Sequence, residues 1–143
     1  MIRRLIPILL VATLCGCFPK RYNPAKATEL YPEHLGQSDV VDVQVSRSGD
    51  TMLIVNGTAT DFRDFDLWLN RRYLVHLERL APGETLSIDM GRFWDAWGGG
   101  PNPGGLLRWY VPTPIVLIQA QIDQTSPMIG FIAIPETEEL GRD

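Results

Sequence analysis

Residues 55–90 read VNGTATDFRDFDLWLNRRYLVHLERLAPGETLSIDM. Phe65, Leu67 and Leu69 alternate with Asp66, Trp68 and Asn70. Tyr73, Val75 and Leu77 alternate with Leu74, His76 and Glu78. Leu86, Ile88 and Met90 alternate with Ser87 and Asp89. Period two is the signature of strands with one buried face, because successive side chains point to opposite sides of a pleated chain. The same stretch can be forced into a helix, but its alternation and aromatic content favour a hairpin with a tight turn near Asn70-Arg71-Arg72. Pro82-Gly83 suits a type II turn, since proline sets φ at the second position and glycine accepts positive φ at the third.

The pattern extends in both directions. VVDVQVS places Val41, Val43 and Val45 on one face, and TMLIVNGT is an apolar run closed by Asn56-Gly57. PIVLIQAQID and MIGFIAIP follow near the C-terminus. At least seven short strands and no long amphipathic helix predict an all-β antiparallel sandwich of about seven to eight strands. The run from Val55 to Met90, with a central Trp68 and a proline-glycine turn, resembles the middle of an immunoglobulin-like domain of bacterial secreted proteins. It lacks the cysteine pair of antibody domains. The resemblance implies an immunoglobulin-like β-sandwich and carries no chemistry.

The N-terminus has a different character. Arg3 and Arg4 precede an apolar run, Leu5 to Leu14, which ends in Leu14-Cys15-Gly16-Cys17. This is the order of a secretory signal. The run is too short to span a hydrocarbon core of roughly 30 Å, which needs about 20 helical residues. Leu14-Cys15-Gly16-Cys17 resembles the lipobox of bacterial lipoproteins, with Cys15 where alanine or serine is commoner. The resemblance implies cleavage after Gly16 and a diacylglyceryl thioether on Cys17. Phe18 replaces the aspartate that retains such proteins at the inner membrane, so the periplasmic face of the outer membrane is favoured in a diderm host. A Cys-x-Cys metal site would need two more ligands, and only His34 and His76 are available. A disulfide at that spacing would be strained. A plain cleaved signal is the remaining alternative.

Cleavage would remove Arg3 and Arg4 and leave 11 basic against 17 acidic residues, a net charge of −6. Nucleic acid is excluded as a partner, because its binding rests on clustered Lys and Arg. The chain then divides into a signal peptide (1–16), a lipidated N-terminus and tether (17–38), a β-sandwich (39–135) and an acidic tail (136–143). Pro19, Pro24 and Pro32 give the tether its expected extended character.

One segment breaks the alternation. MGRFWDAWGGGPNPGGLLRWY, residues 90–110, sets Trp94, Trp97 and Trp109 around a glycine- and proline-rich loop. The loop has no phosphate-binding lysine and no G-x-G-x-x-G, so no cofactor motif is present. Two readings stand: Phe93, Trp94 and Trp97 cap the end of the sandwich, or Trp94, Trp97 and Trp109 form a binding face for sugar or protein. No G-x-S-x-G occurs, and His76 reads as a strand-surface residue. Asp61, Asp64 and Asp66 cluster around one turn, as do Asp89 and Asp95, without an EF-hand pattern. Asn56-Gly57-Thr58 matches a glycosylation sequon but reads better as turn chemistry. The expectation is a non-catalytic, lipid-anchored cell-envelope protein. Its partners are the membrane and an envelope protein or polysaccharide. The alternative is a carbohydrate- or peptidoglycan-binding module using the loop 93–109.

Overall fold

The computed structural model describes residues 21–103 and 111–135. Cys17, Trp109 and the tail 136–143 lie outside the described residues. Seven strands are present: β1 (Gln37–Ser48), β2 (Thr51–Asn56), β3 (Phe62–Leu69), β4 (Tyr73–Leu80), β5 (Thr85–Asp89), β6 (Ile118–Gln121) and β7 (Met128–Ala133). The described residues form no α-helix, only 3-10 turns at Pro24–Lys26 and Met90–Arg92. The all-β expectation holds, and each of the seven expected segments is a strand.

The strands join in a single sheet of order β4-β3-β6-β7-β1-β2-β5. Every neighbouring pair is antiparallel except β1 and β7, which run parallel. The long strand β1 links the two halves. Its pairing with β7 shifts register between Gln37 and Val40 and again between Val40 and Gln44. Such irregularities bend and twist a strand, which lets the halves face each other. The sheet nearly closes, because the chain beyond β5 reaches the opposite edge. There the Leu74 amide donates to the Trp94 carbonyl (2.8 Å) and the Trp94 amide to the Leu74 carbonyl (3.2 Å). The mixed, single-sheet bonding is the structure's addition to the sandwich expected from sequence.

The core follows the alternation. Val43, Val45, Met52, Ile54, Leu67, Leu69, Val75, Ile88 and Ile118 point inward and are fully or almost fully buried. Asp64 departs from the pleat with φ 45°. Phe62 and Phe65 therefore both face the core across three positions, with ring centroids 5.8 Å apart. Opposite them, Leu80 and Leu77 do the same.

Local turn chemistry agrees with the sequence. Asn70 and Arg71 have φ of 53° and 56°, and the Arg72 amide donates to the Leu69 carbonyl. Asn70, Arg71 and Arg72 thus form a three-residue loop between the paired Leu69 and Tyr73, with both central residues of its β-turn at positive φ. Gly83 has φ 72°, and the Glu84 amide donates to the Ala81 carbonyl, as a type II turn requires. Asn56 is wholly buried. Its amide nitrogen donates to the carbonyls of Thr60, Leu80 and Ala81, and its oxygen accepts from Thr58. The sequon is thus a turn anchor.

The outer face of the sheet carries a second, smaller core. Trp68 is fully buried there with Leu35, Leu74 and Met128, and Tyr31 packs edge-on at 5.4 Å. Trp68 Nε1 donates to Gln121 Oε1 (2.8 Å), the Tyr31 hydroxyl to Gln119 Oε1 (2.9 Å) and Gln119 Nε2 to Gln37 Oε1 (2.7 Å). The cover is the segment read as a tether. Over residues 21–36 it is docked on the sheet rather than extended away from it.

Candidate functional site

The docked segment starts at the end of the sheet that holds the Trp-rich loop. The Asn23 amide donates to the Gly98 carbonyl (2.7 Å), the Gly100 amide to the Arg21 carbonyl (3.0 Å) and the Thr28 amide to the Asp95 carbonyl (3.0 Å). Tyr22 and Gly99 thus form a short antiparallel bridge. Gly98 has φ 83°, and a Cβ there would collide with the Asn23 carbonyl. Only glycine permits both the turn and the close approach.

Asp95 organises this end. It is buried, and its Oδ1 accepts from the amides of Trp97 (3.0 Å) and Gly99 (2.6 Å). Its Oδ2 accepts from Arg72 Nε (3.1 Å) and Nη2 (2.8 Å). Burial pushes the carboxyl up, but the Arg72 guanidinium and the two amides outweigh it and hold the group below the usual carboxylate range. One carboxylate thereby ties the Trp loop to the β3–β4 hairpin.

The three tryptophans singled out by sequence fare differently. Trp94 is half-buried, with the Arg21 guanidinium 3.9 Å from its ring centroid. Burial lowers the Arg21 pKa and Asp89 opposes that shift. Trp97 is 65% exposed. Trp109 lies outside the described residues. Phe93 is fully buried and closes the main core, so the loop caps the end of the nearly closed sheet through Phe93 while presenting Trp97 to solvent. An open cleft of about 200 Å³ lies between Arg21, Tyr22, Arg72, Asp95, Trp97 and Gly99. Sequence reading missed Arg21 and Tyr22, whose partners lie some seventy-five positions away and leave no local pattern.

Four of the five carboxylates in the acidic clusters are bonded. Asp61 accepts from Arg79 (2.9 and 3.1 Å) and from Arg63 (2.8 Å), and the Arg79 hydrogen bond leads in lowering its pKa. Asp66 lies 2.9 Å from His76 Nδ1 on the exposed strand face. Asp89 caps the 3-10 turn at Gly91. Asp123 accepts from the amides and hydroxyls of Thr125 and Ser126, with Ser126 first in holding its carboxyl far below the ordinary value. Among the described residues no group of three His, Cys, Asp or Glu is placed to share a metal ion. No helix among them is long and apolar enough to cross a membrane. Comparisons with protein-family models, curated proteins and solved structures found no match for this chain.

Proposed function

We propose that this chain is a lipid-anchored cell-envelope protein that acts by contact rather than catalysis, with Cys17 as the lipid carrier. The observation that carries the reading is the Leu14-Cys15-Gly16-Cys17 motif after a short apolar run. Attachment then rests on acyl chains, at about 0.8 kcal/mol per buried CH₂, since a mature charge of −6 offers no attraction to anionic lipid. Four of the five carboxylates that sequence singled out support the non-catalytic part. Asp61, Asp66, Asp89 and Asp95 each engage an arginine, a histidine or a backbone amide. The outer membrane, periplasmic face, is the proposed address in a diderm host, and an envelope protein the partner.

Fractionation of cells producing wild type and Cys17→Ala tests this reading. Wild type is expected in the membrane fraction and the variant released from it. Equal solubility of the two would remove the anchor.

The cleft beside exposed Tyr22 and Trp97 favours one second reading, a peptidoglycan- or polysaccharide-binding module in which these rings stack on sugar. Its test is titration with muropeptides while following Trp emission. A flat response in a protein whose free Trp97 emission is intact would dismiss it.

A further inference from the structure

The anchor and the domain are closer in sequence than a tether of twenty residues implies. Arg21 is fixed to Gly100, and Asn23 to Gly98. Only four residue steps separate Cys17 from Arg21, so the lipid-bearing residue lies at most about 14 Å from it. A domain held so closely cannot turn its Trp-loop end far from the bilayer.

The surface at that end suits such a position. Tyr22 (66%), Trp97 (65%), Val111 (84%) and Val116 (70%) are among the most exposed large apolar residues described. All four belong to this end. Tyr22 bridges Gly99, the Val111 carbonyl accepts from Asn102, and the Val116 amide donates to Asn70 in the β3–β4 turn. The opposite end carries the turns 57–61, 81–84 and 122–127 and exposes Val55 (40%) and Ile122 (39%), with Val40 (58%) on the adjoining part of β1, each less than any of these four. Solvent-facing apolar side chains gathered at one end mark a contact surface. Tyrosine and tryptophan suit the headgroup layer, where an apolar ring and a polar edge are both accommodated. Arg21, Arg71, Arg72 and Arg92 offset Asp50, Asp89 and Asp95 here, so the end is not repelled by anionic headgroups as the whole domain would be.

We propose that the Trp-loop end of the domain rests on the bilayer surface, with Tyr22 and Trp97 in the headgroup layer. The proposal depends on lipidation of Cys17. The opposite end, with its polar turns, then faces away from the membrane.

The test uses the full chain, extracted from membranes and reconstituted into phosphatidylethanolamine–phosphatidylglycerol vesicles that carry bromine near the headgroup. Flotation reports anchoring, and quenching of Trp emission reports the face. Trp97→Phe provides the difference signal, because an exposed ring is replaced without disturbing the core. Wild type is expected to float and to lose emission in brominated vesicles, and Trp97→Phe to float without that component of the loss. Protein that floats with equal quenching in wild type and variant overturns the bilayer face and leaves the anchor standing. Protein that stays at the bottom of the gradient overturns the anchor and the face together. Trp97 emission that ignores bromine but responds to added muropeptide overturns the bilayer in favour of sugar.

Discussion

Arg71 holds a left-handed backbone, φ 56°, at the second central position of the β3–β4 turn. An L-residue with a Cβ pays about 1 kcal/mol for that conformation, while Asn70 beside it tolerates αL more readily. The Arg71 guanidinium lies 5.7 Å from the Tyr31 ring centroid and recovers only a fraction of the cost. Arg71→Gly is therefore expected to stabilise the fold by about 0.5 kcal/mol. A rise in the urea midpoint at unchanged slope would register it. Asp95 gives the converse case. Its folded pKa is depressed, so its contribution is complete above the ordinary carboxylate value near 3.9 and is lost as pH falls through the folded value. Asp95→Asn should cost about 2 kcal/mol at neutral pH, the worth of its charge-assisted hydrogen bonds. Thermal melts of wild type and variant should converge below about pH 4. A gap that stays constant to pH 2 would contradict the ionised pairing with Arg72. The turn at Asn70 and Pro82-Gly83 was legible from residue type alone. The role of Asp95 was not, because its partner Arg72 lies twenty-three positions away.

At the scale of elements, period two marked β1, β3, β4 and β5, and apolar runs marked β2, β6 and β7; β6 carries no clean alternation because it is buried on both faces. Trp68 shows where the rule falls short. It alternates correctly against Leu67 and Leu69, which predicts a solvent-facing ring, yet it is fully buried. The cover comes from Tyr31 and Leu35 of the docked segment, whose prolines (Pro24 and Pro32) and lack of periodicity suggest an extended linker. That segment docks through carbonyls and amides at irregular spacing, so no periodic trace of it exists in the sequence. Gly98 holds the start of this dock. Gly98→Ala should strain the turn and displace Asn23, at a cost of about 2 kcal/mol. Hydrogen exchange is expected to show faster exchange at the amides of Asn23, Thr28 and Gly100, while β2 and β3 keep their relative protection. Unchanged exchange at these three amides would show that the segment is held by the Trp68 cluster alone. The single-sheet bonding was also beyond the sequence, since the parallel β1–β7 pair joins strands some ninety positions apart.

At the scale of the whole molecule, the described residues form two unlike ends. One gathers the start of the docked segment, the Trp loop and exposed apolar side chains. The other gathers polar turns built on Asn56, Glu84 and Asp123. Acyl chains on Cys17 would give that difference an orientation: apolar end to the bilayer, polar end to the envelope space. Charge balance alone led to the expectation of no nucleic-acid partner, and the ten-residue apolar run to that of no spanning helix at the N-terminus. It could not reveal the distance from anchor to domain, which depends on the docking of Arg21 and Asn23. The central claim is the modification of Cys17. Its most direct test is the intact mass of protein extracted from membranes, measured beside Cys17→Ala. The account predicts a chain beginning at Cys17 with the added mass of acyl chains, and no such addition in the variant. An unmodified wild-type mass, or one that retains residues 1–16, would contradict it.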